Sequence, residues 1–67
     1  MSVATPLSPR ELQVLRMVAA GRTTSHIAAS LGVSRHTVRN HVAACLRKLD
    51  CHSRIEAVGV ARRLDLL

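Results

Sequence analysis

The chain has 67 residues, room for one domain with a thin core, since a domain of about 60 residues buries only ~60% of its unfolded surface. Ten Lys and Arg against four Asp and Glu leave a net charge of +6, a balance that selects polyanions as partners and says nothing of the fold. The absence of Phe, Tyr and Trp excludes a single-strand binder built on stacked rings, and no run approaches the roughly 18 apolar residues of a membrane span.

Residues 1–6, MSVATP, read as a flexible lead-in. LSPRELQVLRMVAAG then reads as a first helix with both ends marked. Ser8 is placed to cap it, Pro9 suits the first helical position, and Glu11 completes an S-x-x-E capping box. Leu7 and Leu12 stand at the two positions of a hydrophobic staple. Gly21 supplies a left-handed stop. Val14, Leu15 and Val18 make the apolar stripe.

A short second helix fits residues 24–31, capped by Thr23 and ended by Gly32. Ile27, Ala28 and Leu31 give it one small apolar face. LGVS is then a tight connector with Gly where helix-turn-helix units place it. Ser34 caps a third helix expected to run to about Leu49. Val38, Val42, Cys45 and Leu49 recur at helical spacing as one continuous stripe, widened by Leu46. Asp50 to His52 break the pattern, Ser53 caps again, and IEAVGVARRL forms a fourth helix. Nothing alternates with period two over a useful length. The expected class is all-α, a four-helix bundle containing a helix-turn-helix over residues 7–67.

Removing the buried stripe of the third helix leaves Arg35, His36, Arg39, Asn40 and Ala43 facing outward, with Arg47 and Lys48 at the far end. Residues 36, 39, 40 and 43 share one strip near the helix start. A helix-turn-helix presents its base readers there. Arg pairs bidentately with guanine O6 and N7, and Asn with adenine N6 and N7. The hydroxyls of Ser34 and Thr37 at the helix N-terminus suit a phosphate, as do Arg35 and Arg47. Ala43 is small enough for close approach or for contact with a thymine methyl. The bland alternative is a solvated cationic face, which for any single Arg is about as good a reading. It weakens when Arg, Asn and His share one strip behind a short helix and a Gly-containing turn.

From Leu7 to Leu67 the chain resembles the LuxR-type (GerE-like) DNA-binding domain of bacterial transcription regulators. The matching pieces are LSPRELQVL, IAASLGVSRHTVRNHV and LRKLDCHSRIEAV, in order and with family spacing. The resemblance implies a four-helix fold whose second and third helices form the helix-turn-helix. It implies base or nearby backbone contacts at His36, Arg39, Asn40 and Ala43, and phosphate contacts at Ser34, Thr37 and Lys48. The chain departs from the family pattern at Ala43, where a longer polar residue is common, and at His26, which replaces an acid. DCHSR replaces the common Gly-Val-His-Ser-Arg, so Asp50 must end the third helix without glycine's freedom.

Other functions fit less well. His41, Cys45, Cys51 and His52 put four soft donors within twelve residues, but no C-x-x-C or H-x-x-x-H pairing appears and Cys45 belongs to the apolar stripe. No metal site and no cofactor are expected. The two cysteines read as free thiols of a reducing cytoplasm, because no signal-like apolar stretch precedes them. An enzyme is not expected either: one thiol lies near a His, with no acid to orient it and no cleft-building strands. Membrane binding by a basic amphipathic helix would need an exposed apolar face with aromatic anchors. Within DNA binding, the alternative is a promoter module like region 4 of a sigma factor; the LRKL-x-x-HSR segment and the fourth helix favour the LuxR type.

On the fourth helix, Ala57, Val60, Ala61 and Leu64 are spaced to dock on the core. Ile55, Val58 and Gly59, continued by Arg62, form a second small patch. The patch predicts a homodimer through this helix, formed mainly on DNA because so little area is available. Such a dimer reads an inverted repeat with half-sites about one helical turn apart. RNA polymerase is a further expected partner.

Overall fold

The computed structural model describes residues 7–67 and shows four helices: α1 (Pro9–Ala19), α2 (Thr24–Leu31), α3 (Arg35–Lys48) and α4 (Arg54–Arg63). No strand occurs among the described residues. The expected lead-in, residues 1–6, lies outside them.

Each helix begins on the hydroxyl that the sequence offers it. Ser8 Oγ accepts from Glu11 N–H at 3.1 Å while Glu11 Oε1 accepts from Ser8 N–H at 2.8 Å, a reciprocal capping box. Thr23, Ser34 and Ser53 accept in the same way from His26, Thr37 and Glu56. The Leu7–Leu12 staple forms: Leu7 is buried and Leu12 packs against the same cluster.

The four helices also end alike. Just past each helix end a backbone N–H donates five residues back, Arg22 to the Met17 carbonyl at 3.1 Å, Val33 to Ala28 at 3.0 Å, Cys51 to Leu46 at 2.8 Å and Leu66 to Ala61 at 2.8 Å. This closure needs a left-handed residue in between. Gly21 (φ 82°) and Gly32 (φ 67°) fill that role for α1 and α2, whereas Asp50 (φ 55°) and Asp65 (φ 62°) fill it for α3 and α4. Asp tolerates this region better than most side chains through local hydrogen bonding.

α3 is the central element, packed against all three others. Its stripe divides the core in two. Cys45 and Leu49 join Leu7, Leu15, Cys51, Ala57 and Ala61 on the α1–α4 side. Val38 and Val42 join Val14, Ile27 and Ala28 on the α2 side, and Leu46 touches both groups. Burying one such aliphatic side chain contributes about 1.5–3 kcal/mol, so the stripe commits one face of α3 wholly to the core.

One expectation about packing is corrected. Leu64 does not dock: it caps α4 and is 55% exposed. The left-handed turn at Asp65 reverses the chain, and Leu66 reaches the core in its place. Val58 is half-buried, packed in part against the core.

Candidate nucleic-acid interface

With its apolar stripe buried, α3 presents Arg35, His36, Arg39, Asn40, Ala43 and Arg47 to solvent. Residues 36, 39, 40 and 43 lie on one exposed strip, as their spacing of three and four requires. No described hydrogen bond or ion pair engages the side chains of Arg35, His36, Arg39, Asn40 or Arg47. α2 and α3 contain no acidic residue at all; the four acids of the chain stand at Glu11, Asp50, Glu56 and Asp65. The strip is therefore a set of unengaged donors in a positive field, adjoining the N-terminus of a helix.

At that N-terminus the Ser34 hydroxyl accepts from Thr37 N–H and donates to Thr37 Oγ1, both at 3.0 Å. Its own proton is committed to Thr37. The Thr37 hydroxyl accepts here and so keeps its proton for another acceptor.

Lys48, expected as a phosphate contact, lies elsewhere than the strip. Its Nζ sits 2.8 Å from Glu11 Oε1, joining the end of α3 to the first turn of α1. The Lys48 hydrogen bond, then that from Ser8 N–H, holds the Glu11 carboxyl below its ordinary pKa of 4.5. No pattern in the sequence pointed to this pairing, because the partners are 37 residues apart.

The two thiols are both buried and free. Cys45 donates to the Glu11 carbonyl at 3.5 Å and Cys51 to the Leu49 carbonyl at 3.3 Å. Burial, with a lesser contribution from Glu11, pushes Cys45 up to about 11. Burial, followed by the charge of Glu56, raises Cys51. Both stay protonated at neutral pH.

On α4, Ile55 is 87% exposed. Ile55, Val58, Gly59 and Arg62 do come together, lining a cleft of about 420 Å³ that also includes Val18, Ala19 and Arg54. The last three were not anticipated. Val18 and Ala19 belong to α1, whose pairing with α4 only the tertiary fold supplies. For Arg54 a signal existed: a cation in the first turn of a helix opposes the macrodipole, and here the guanidinium is held by a hydrogen bond to Thr24 on α2.

Fold and surface together define a small all-α helix-turn-helix domain with a cationic third helix. The chain belongs to the luxR family of bacterial regulatory proteins: the GerE family description matches residues 5–61. It is 44% identical over 63 residues to the HTH-type transcriptional activator RamA of Corynebacterium glutamicum, covering 94% of this chain and 22% of RamA. It is 46% identical over 57 residues to the transcriptional regulatory protein DesR of Bacillus subtilis, covering 85% of this chain and 29% of DesR. Among solved structures, the transcription factor GerE superposes with a TM-score of 0.90 at 30% identity, over 96% of both chains. The response regulator ChrA of a heme-sensing two-component system superposes with a TM-score of 0.87 at 31% identity, over 100% of this chain and 32% of that one. The chain spans about a quarter of the length of RamA and DesR. Family membership decides between the LuxR type and the sigma-factor module in favour of the former.

Proposed function

We propose that this domain binds duplex DNA sequence-specifically as the effector part of a bacterial transcription regulator, with α3 seated in the major groove. The observation that carries this reading is the exposed, unengaged His36–Arg39–Asn40–Ala43 strip on a helix that every other helix braces. In it, Arg39 and Asn40 make bidentate base contacts, His36 contributes a further donor or acceptor, and Ala43 allows close approach. Ser34, Arg35, Thr37 and Arg47 meet phosphates at the groove edges. Lys48 joins them through the two ammonium protons that Glu11 does not use.

The domain pairs with a second copy through Ile55, Val58, Gly59 and Arg62, on an inverted-repeat operator. Two exposed or half-exposed apolar side chains per copy fall far below the roughly 1,200–2,000 Å² of a stable interface. Pairing is accordingly tied to DNA. The names of the relatives, a transcriptional activator and a transcriptional regulatory protein, support regulation of transcription, a regulatory rather than an enzymatic role. RNA polymerase as a partner and a cytoplasmic location complete the reading. No described helix is long and apolar enough to cross a membrane.

Selection of bound duplexes from a random pool at stated salt tests the reading. Enrichment of a palindromic consensus is the expected result. Recovery of unrelated duplexes, all with affinities governed only by ionic strength, would reduce α3 to a nonspecific cationic face.

A further inference from the structure

α2 and α4 do not pack on one another, yet one side chain joins them. Arg54 Nη2 donates a hydrogen bond to Thr24 Oγ1 at 3.0 Å, across 30 residues of sequence. Each residue is the first of its helix. A guanidinium in the opening turn of α4 is disfavoured by the helix's own dipole; the bond to Thr24 supplies what α4 itself does not. At the other end of that bond stands a thinly anchored helix. α2 has 8 residues, of which only Ile27 and Ala28 are buried, and its cap bond from His26 N–H to Thr23 Oγ1 is exposed to solvent. Thr24 is half-buried where Arg54 meets it.

In a helix-turn-helix the first helix crosses the DNA backbone while the second enters the groove. The placement of α2 relative to α3 therefore sets how deeply α3 can seat. We propose that Arg54 is a positioning residue for DNA binding, pinning the first turn of α2 from α4 through Thr24 without itself touching the duplex. The proposal rests on the assignment of α3 as recognition helix. It adds a residue outside the helix-turn-helix to those that determine affinity. The planar guanidinium is suited to this role because its donors are held in a fixed fork, which a Lys ammonium does not reproduce.

The test compares Arg54→Ala, Arg54→Lys, Thr24→Val, Thr24→Ser and the Arg54→Ala/Thr24→Val pair in the 67-residue chain. Half-site affinity is measured across a salt series, and amide exchange is followed in the free domain. Arg54→Ala, Arg54→Lys and Thr24→Val should each weaken half-site binding about three- to tenfold, the scale of one lost hydrogen bond of ordinary strength. The double variant should be no weaker than either single one. Thr24→Ser, which keeps the hydroxyl, should bind as the unmodified chain does. The log–log salt slope should stay unchanged, and the His26 and Ile27 amides alone should exchange faster. A slope reduced by about 0.9 in Arg54→Ala, with Thr24→Val inert, would make Arg54 a direct phosphate contact and overturn the proposal. Equal acceleration of amides in all four helices would overturn it too, as simple loss of global stability. If the unmodified chain bound no duplex while the exchange pattern held, the recognition-helix reading would fall and the Arg54–Thr24 tie would stand.

Discussion

Lys48 Nζ and Glu11 Oε1 meet at 2.8 Å, and through them the last turn of α3 is fastened to the first turn of α1. The Glu11 carboxylate, only 10% exposed in its side chain, also accepts the Ser8 N–H of its own capping box. One carboxylate thus closes a local cap and a long-range contact together.

A pH dependence follows. Glu11 titrates below its ordinary value in the folded chain, first because Lys48 bonds the ionised form and then because Ser8 does. A depressed carboxyl pKa adds stability that is complete above the unfolded value and is lost as pH falls through the folded one. Thermal unfolding across an acid series should show the loss setting in below about pH 4.5. Glu11→Gln should be destabilised at neutral pH by about 1 kcal/mol, the scale of a capping and charged hydrogen-bond loss. Its stability should also fall less steeply in acid. Parallel acid profiles for the two proteins would show that the Glu11 charge has no part in folding.

The ends of α3 and α4 offer room for improvement. Asp50 and Asp65 occupy left-handed conformations that α1 and α2 give to glycine. A side chain there costs about 1–2 kcal/mol, partly recovered by the lower chain entropy of a non-glycine residue. Asp50→Gly should raise unfolding free energy in urea by about 0.5 kcal/mol. A loss of stability would mean that the Asp50 side chain contributes more than its backbone strain removes.

Asn40 faces outward with no intramolecular partner, so its replacement should leave the fold intact. A bidentate base contact discriminates by about 1–3 kcal/mol. Asn40→Ala should relax preference at one base pair of the selected operator by roughly ten- to a hundredfold. Equal weakening on every duplex would reassign Asn40 to the backbone.

Ile55, 87% exposed beside the α1–α4 cleft, offers the cleanest test of pairing. Ile55→Glu should leave melting temperature within the small range of surface substitutions, about 0.5 kcal/mol. Half-site affinity should persist, while cooperative binding to the full inverted repeat disappears. Cooperativity that survives the substitution would move the dimer contact off α4.

Much of this domain was legible from its residues because it depends on neighbours in sequence. The four caps, the four helices and the stop at Gly32 each depend on side chains within a few positions of one another. The stripe Val38–Val42–Cys45 determines by periodicity alone which face of α3 is hidden, and hence that Arg39 and Asn40 face outward. Their exposure follows from a helical pitch, not from any partner. What local pattern does not contain is the meeting of distant segments. Leu64 had the right spacing to dock, but the left-handed Asp65 turned the chain and seated Leu66 instead. Lys48 had the charge of a phosphate contact, and only the crossing of α3 on α1 brought it to Glu11. Arg54 and Thr24, 30 residues apart, became partners because two helix starts converge in space. Hydrogen bonds and ion pairs act over about 3 Å, and which groups come within that reach is decided by packing of the whole chain.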